Sequence, residues 1–110
     1  MSPGGTGGLR PTRAAALTAS AAAQYDLLLT SHRHAFVDHG SEFFMGPGAD
    51  PQRAYEMAVE NYGNRPTERA LTLVINAAAG AGKPLADWCA AAPKELKTAP
   101  LREALELRCP

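Results

Sequence analysis

Turn-forming residues recur at a spacing of about 34 residues, and this recurrence constrains the fold more than any other feature of the sequence. Pro66 and Pro100 are 34 positions apart, and they lie in two similar runs, RPTERALTL and APLREALEL. Gly48 and Gly82 show the same spacing of 34 residues. A repeat of this length is typical of a helix–turn–helix unit, which buries its apolar side only by stacking on a neighbour. The sequence therefore predicts antiparallel helical hairpins that stack side by side.

Capping residues and apolar periodicity divide the chain into six predicted helices. Thr12 and the Asp50–Pro51 pair are typical helix starts, because their side chains can accept free backbone N–H groups and proline suits the first helical position. Thr30–Ser31 and Gly46–Pro47–Gly48 interrupt the helical pattern. The clearest amphipathic pattern, at i, i+3, i+4 and i+7, consists of Leu71, Val74, Ile75 and Ala78. The predicted helices cover about residues 13–29, 32–45, 51–62, 66–79, 85–92 and 100–108.

The sequence predicts one folded domain with an unstructured beginning. Residues 1–11 are glycine-rich and contain little that could be buried, so we expect a flexible N-terminal tail followed by a single helical-repeat domain at 12–110. The last predicted helix has a polar outer side, as the end of a repeat array requires. Four of its side chains are expected to face water: Arg102, Glu103, Glu106 and Arg108.

Residues from about 35 to 107 resemble the tetratricopeptide repeat (TPR) family. If Pro66 takes the place of the family's proline near the end of a repeat, Ala54 falls on the small residue between the paired helices, and Gly48 falls near the inter-helix turn. Phe36 approximates the aromatic position of the family's first helix, and Trp88 replaces the small residue in the second repeat. The resemblance implies a short TPR-like α-α superhelix of about six helices with a C-terminal capping helix. It also implies a non-catalytic module, without a cofactor, that binds another protein or a peptide.

In this family the ligand lies on the concave side, and the resemblance implies which side chains would contact it. They are Phe36, His39 and Phe43 in one repeat and Ala70, Leu73 and Ala77 in the next. Because these side chains are apolar or histidine rather than lysine, arginine and asparagine, we expect an apolar segment and not an acidic C-terminal peptide. Two alternatives stay open: the same side chains pack against the N-terminal helix in a structural domain, or they pair two copies in a homodimer.

Charge and cysteine content bound the partners and the location. Eleven acidic and eleven basic side chains cancel, so no basic surface is predicted for nucleic acid or for an anionic membrane. The first 25 residues lack acidic side chains and loosely resemble a targeting segment, but their apolar part is mostly alanine and unlike a cleaved secretory signal. Cys89 and Cys109 are expected to be separate thiols in a reducing, cytoplasmic location. The alternative is a bridge that ties the last helix to the one before.

The densest group of candidate metal ligands lies in the second predicted helix. His34 and Asp38 are four residues apart and share one helical side, whereas His39 and Glu42 lie about 100° away around the helix. A zinc site needs three or four convergent ligands. This segment, which also contains His32, offers two ligands to any one point, and the others would have to come from another helix or another chain. A metal site in this segment is therefore kept as an alternative hypothesis. No nucleophile elbow accompanies these histidines, and we expect no enzymatic activity.

Overall fold

The computed structural model describes residues 12–110, and every regular element in that range is a helix. This confirms the prediction of an all-α chain, whereas the predicted tail at 1–11 lies outside the described residues. Residues 12–110 contain five helices rather than the predicted six, because two of the predicted helices are joined in α1 through one non-helical residue, His32. The helices are α1 (Arg13–Met45), α2 (Pro51–Asn64), α3 (Glu68–Gly80), α4 (Ala86–Ala90) and α5 (Ala99–Arg108).

Helix α1 reverses its direction at His32. This residue has a non-helical backbone, with φ −141° and ψ 53°. The rings of Tyr25 and Phe43 are stacked with centroids 5.0 Å apart, although 18 residues of straight helix would separate them by about 27 Å. Residues 13–31 and 33–45, called here the first and second limbs of α1, are therefore antiparallel. The sequence predicted a break at Thr30–Ser31, whereas both of these residues are helical and the break consists of His32 alone.

The first limb of α1 and α2 run in the same direction. Near the start of the second limb, the Arg33 side chain donates to both carboxylate oxygens of Glu60 at 2.8 and 2.7 Å, and further along Ser41 donates to the carbonyl oxygen of Ala54, so the second limb runs antiparallel to α2. The first limb is antiparallel to the second and therefore parallel to α2, with Asp26 accepting a hydrogen bond from Arg53. Trp88 of α4 extends this layer, because it packs against tyrosines of α2.

The second limb of α1, α3 and α5 form the other layer. Met45 packs against a core cluster that contains Val74 and Ala77 of α3. On the far side of α3, a second cluster combines Leu71 and Ile75 with the two buried residues of α5, Leu101 and Ala104. The amphipathic pattern predicted for α3 is confirmed, since its four apolar residues are at most 2% exposed. α3 is consequently the central element, with neighbours on both sides and α2 above it.

The two cysteines form a disulfide bond, so the expectation of separate thiols is wrong. The Cα atoms of Cys89 and Cys109 are 6.0 Å apart, a usual separation for a disulfide. The bond joins α4 to the residue that follows α5, which is the alternative left open by the sequence. Because disulfides persist in oxidising compartments, the reason for a cytoplasmic location is removed, and that location stays a prediction. Among the described residues no helix combines the length and apolarity that crossing a bilayer requires.

Candidate functional site

A cleft of about 720 Å³ lies over the layer made by the second limb of α1, α3 and α5. Ligand pockets in proteins commonly have volumes of about 300 to 1,000 Å³. Most of its lining comes from α3 and from the turn that precedes it. The lining residues are Asp38, Glu42 and Met45 of α1; Asn61 of α2; Arg65 and Thr67 of the turn; Arg69, Ala70, Thr72, Leu73 and Asn76 of α3; and Thr98 and Pro100 at the start of α5.

The floor of the cleft is one stripe along α3. Arg69, Leu73 and Asn76 are spaced at i, i+4 and i+7, so they lie on the same helical face. Thr67 fixes where this helix begins, because its hydroxyl oxygen accepts the backbone N–H of Ala70 at 3.0 Å. Leu73 and Asn76 are half-buried. The stripe therefore presents a guanidinium, an aliphatic side chain and an amide in a row.

One end of the cleft carries a group of opposite charges. The Arg69 guanidinium lies 3.8 Å from Asp38 Oδ2 and 3.9 Å from Glu42 Oε1. His39 borders the same carboxylates, with Nδ1 3.6 Å from Glu42 and Nε2 4.0 Å from Asp38. The Arg69 side chain is 73% exposed, so these interactions are solvent-screened and individually weak. Arg69 offsets the charge of one of the two carboxylates at this end of the cleft.

The metal-site hypothesis depended on residues that the fold only partly brings together. Asp38, His39 and Glu42 are neighbours, but Arg69 supplies the positive charge between the two carboxylates. His34 is exposed and takes no part in this group. Within residues 12–110, no set of three or more His, Cys, Asp or Glu side chains is arranged to hold a metal ion.

Three of the predicted partner-binding residues lie at or beside the cleft. Ala70 and Leu73 line it, and His39 is exposed at its charged end, with 55% of its side chain accessible. Ala77 is only 1% exposed and borders a separate depression of about 310 Å³. The fold thus gathers part of the predicted set around α3.

Phe36 and Phe43 lie elsewhere. Both are half-buried and pack against the core cluster that contains Leu29 of the first limb. Phe43 stacks on Tyr25 and meets Phe44 edge to face, with centroids 5.0 Å apart in both pairs. This placement agrees with the alternative in which the two phenylalanines pack against the N-terminal helix.

The sequence did not single out three of the polar residues of the cleft. Asn61, Asn76 and Arg69 were not nominated, although two of them follow from a nominated residue. Arg69 and Asn76 lie four residues before and three after Leu73, so helical spacing alone places them on its face. Asn61 carries no such signal, because it lies on α2 and not on the helix that carries Leu73.

Glu68 fixes the side of the cleft that α5 provides. Its carboxylate accepts the backbone N–H of Lys97 at 3.0 and 2.9 Å, the N–H of Thr98 at 3.0 Å and the Thr98 hydroxyl at 2.9 Å. These hydrogen bonds, above all the one from the Lys97 N–H, hold the pKa of Glu68 below its ordinary value. Thr98, which lines the cleft, is thereby tied to the first turn of α3.

Comparison of the chain with protein-family models, with curated proteins and with solved structures found no match. The functional interpretation therefore depends on the geometry of the cleft and on the chemistry of its side chains.

Proposed function

We propose that this chain is a short TPR-like helical-repeat module that binds a peptide segment of another protein in the cleft over α3, without catalysing a reaction. One observation carries the proposal: a cleft of about 720 Å³ lies over three helical segments that form a single layer. The stacked arrangement agrees with the 34-residue spacing in the sequence, because each pair of helices adds one segment to each layer.

The packing of α5 on α3 supports a repeated architecture. Glu68 contacts Thr98, and further along Ile75 and Ala104 share a buried cluster, so the two helices advance in the same direction. The second limb of α1 is related to α3 in a similar way, from the Asp38–Arg69 contact to the packing of Met45. A concave layer of parallel helices is the surface that helical-repeat proteins use for binding.

The chemistry of the lining favours an extended segment with apolar side chains. Leu73, Ala70 and Met45 supply apolar surface. Asn61 and Asn76 each offer an amide donor and an amide acceptor, the pair of groups needed by a peptide backbone. Because the charges of Asp38, Glu42 and the two lining arginines cancel, the cleft favours neither an acidic nor a basic ligand. Burial of an apolar side chain would supply affinity, and the amides would fix the orientation of the backbone.

A random-peptide display selection on the immobilised chain tests this proposal. Peptides that are enriched would be synthesised, and their binding to the wild-type chain and to the Leu73→Ser variant would be measured by fluorescence anisotropy. We expect the variant to bind at least about tenfold more weakly, because an apolar contact in the middle of the site is lost. The Asn76→Ala variant should show a smaller loss.

Leu27→Ser is the matched control for this experiment. Leu27 is 70% exposed on the first limb, so the same chemical change is made on the opposite layer. Circular dichroism of each variant would establish that the helices are retained. Equal weakening by Leu73→Ser and Leu27→Ser, or enrichment of no binding peptide, would contradict a peptide site in the cleft.

A further inference from the structure

The two ends of α5 are attached by different means. At its beginning, the carboxylate of Glu68 accepts hydrogen bonds from the backbone of Lys97 and Thr98. In its middle, Leu101 and Ala104 are buried against α3. Leu105 is half-buried against the same cluster, whereas Glu106, Leu107 and Arg108 are exposed, Leu107 at 77%. Noncovalent contacts therefore hold the first two turns, and the end of the helix depends on Cys109.

Cys109 is bonded to a helix that is itself weakly held. α4 has five residues, none of which is buried. Its principal attachment is Trp88, whose indole N–H donates to the Tyr55 hydroxyl at 3.2 Å and whose ring meets Tyr62 edge to face at 6.0 Å. The disulfide thus connects the end of α5 to α2 through α4. Without the disulfide, only the backbone between the two helices would connect α4 covalently to the end of α5.

We propose that the Cys89–Cys109 disulfide is a redox switch that controls how firmly α4 and α5 are docked on the rest of the molecule. A dithiol reductant donates two electrons to the sulfur–sulfur bond, which breaks, and two protons complete the thiols of Cys89 and Cys109 while the reductant becomes a disulfide. Both cysteines are half-buried rather than fully buried, which leaves them open to such an exchange. Reduction opens a loop with a sequence separation of 20 and restores its conformational freedom.

The switch has a consequence for the cleft, and this step rests on the proposed function. Thr98 and Pro100 line the cleft from the start of α5. α5 has ten residues, too few to be a stable helix when it is undocked. Its release would remove one side of the cleft. The reduced chain should therefore bind peptides selected on the oxidised chain more weakly.

Amide hydrogen exchange on the oxidised chain and on the chain reduced with dithiothreitol tests the switch without any peptide. We expect exchange in α5 to accelerate by up to about a hundredfold on reduction, the factor that corresponds to opening a loop of this length. Exchange in α2 and in the second limb of α1 should not change. Because no ligand is present, failure of the switch is distinguishable from failure of the peptide site.

The Cys89→Ser/Cys109→Ser double variant is the control. Its α5 should exchange as in the reduced chain, and dithiothreitol should then have no effect. Reoxidation of the wild-type chain with glutathione disulfide should restore protection. Unchanged exchange in α5 would overturn the proposal. So would a loss of protection throughout the helices, because the disulfide would then stabilise the whole fold rather than control one part.

Discussion

At the scale of single residues, Ser41 joins α1 to α2 through a buried hydrogen bond. Its side chain is fully buried, and its hydroxyl donates to the carbonyl oxygen of Ala54 at 2.7 Å. Ser41→Ala should lower the free energy of unfolding by about 1 kcal/mol. The substitution removes only the hydrogen bond from Ser41, because the Ala54 carbonyl remains part of helix α2. Urea denaturation measures this change. Ser31→Ala, at an exposed position, is the control, and an equally small effect at both serines would contradict the assignment.

Glu68 makes the docking of α5 sensitive to acid. Since its pKa is lower in the folded chain than its ordinary value, the stabilisation is fully present above the ordinary glutamate pKa and is lost as the pH falls through the folded pKa. Glu68→Gln should therefore have a lower Tm than the wild-type chain at neutral pH. The difference in Tm between the two chains should narrow at about pH 3, which is below the ordinary glutamate pKa of about 4.3.

Thermal denaturation of both chains at the two pH values measures this effect. Glu103→Gln provides the comparison, because Glu103 is exposed on α5 and the substitution removes the same charge. A Tm difference for Glu68→Gln that stays constant between neutral and acidic pH would show that ionisation of Glu68 does not contribute.

Local capping was predictable from the sequence, whereas the partners of Glu68 were not. Thr12 and Asp50 cap their helices as expected, with side-chain oxygens that accept N–H groups three residues later. Such bonds connect near neighbours, so the sequence itself brings the partners together. A glutamate in the first turn of α3 already has a favourable interaction with the helix dipole, and nothing in the sequence indicates that it also contacts Thr98, 30 positions away.

At the scale of whole elements, the reversal of α1 is the feature that decides the packing. The sequence indicated a break at Thr30–Ser31, but no glycine or proline marks the turn, and a single non-helical residue at His32 completes it. The sharpness of this turn places the first limb directly over the second. Phe36 and Phe43 are consequently half-buried, which the periodicity of either limb alone does not predict.

Charge reversal tests whether the start of the second limb of α1 packs against α2. Arg33 and Glu60 form an ion pair with both carboxylate oxygens engaged, at side-chain exposures of 50% and 33%. Arg33→Glu should destabilise the chain by about 0.5 to 1 kcal/mol, and adding Glu60→Arg should restore most of that loss. Urea denaturation of the single and double variants measures the coupling.

Arg102→Glu makes the same charge change at an exposed position of α5, and Glu60→Arg should not rescue it. If Glu60→Arg fails to rescue Arg33→Glu either, the two side chains do not interact, and the proposed alignment of α1 with α2 is wrong.

At the scale of the whole molecule, the repeat spacing predicted stacking but did not identify the surface that the stack leaves open. The cleft forms where the second limb of α1, α3 and α5 meet. Leu73 was predictable because one helical pattern defines its face. The participation of Asn61 and Thr98 depends on how α2 and α5 are placed relative to α3, and such long-range packing leaves no local signal in the sequence.

The disulfide makes the stability of the C-terminal part of the molecule depend on the redox conditions. The bond between Cys89 and Cys109 links two parts of the C-terminal half with a sequence separation of 20. In the chain-entropy description, closing a loop of this length contributes about 3 kcal/mol to the stability of the part of the chain that the bond joins. That contribution is available only where the disulfide persists, as it does in oxidising compartments.

We therefore expect both cysteines to be oxidised in the protein taken from its native cells. The cells would be lysed with an alkylating reagent in denaturant and without a reductant, so that free thiols are trapped before they can react. Mass spectrometry should then show no alkylation at Cys89 or Cys109, and alkylation at both after reduction. Alkylation of both cysteines without reduction would mean that the bond is absent in the cell, and it would return support to the cytoplasmic location that the sequence first suggested. α5 would then be held on α3 by Glu68 and by the burial of Leu101 and Ala104.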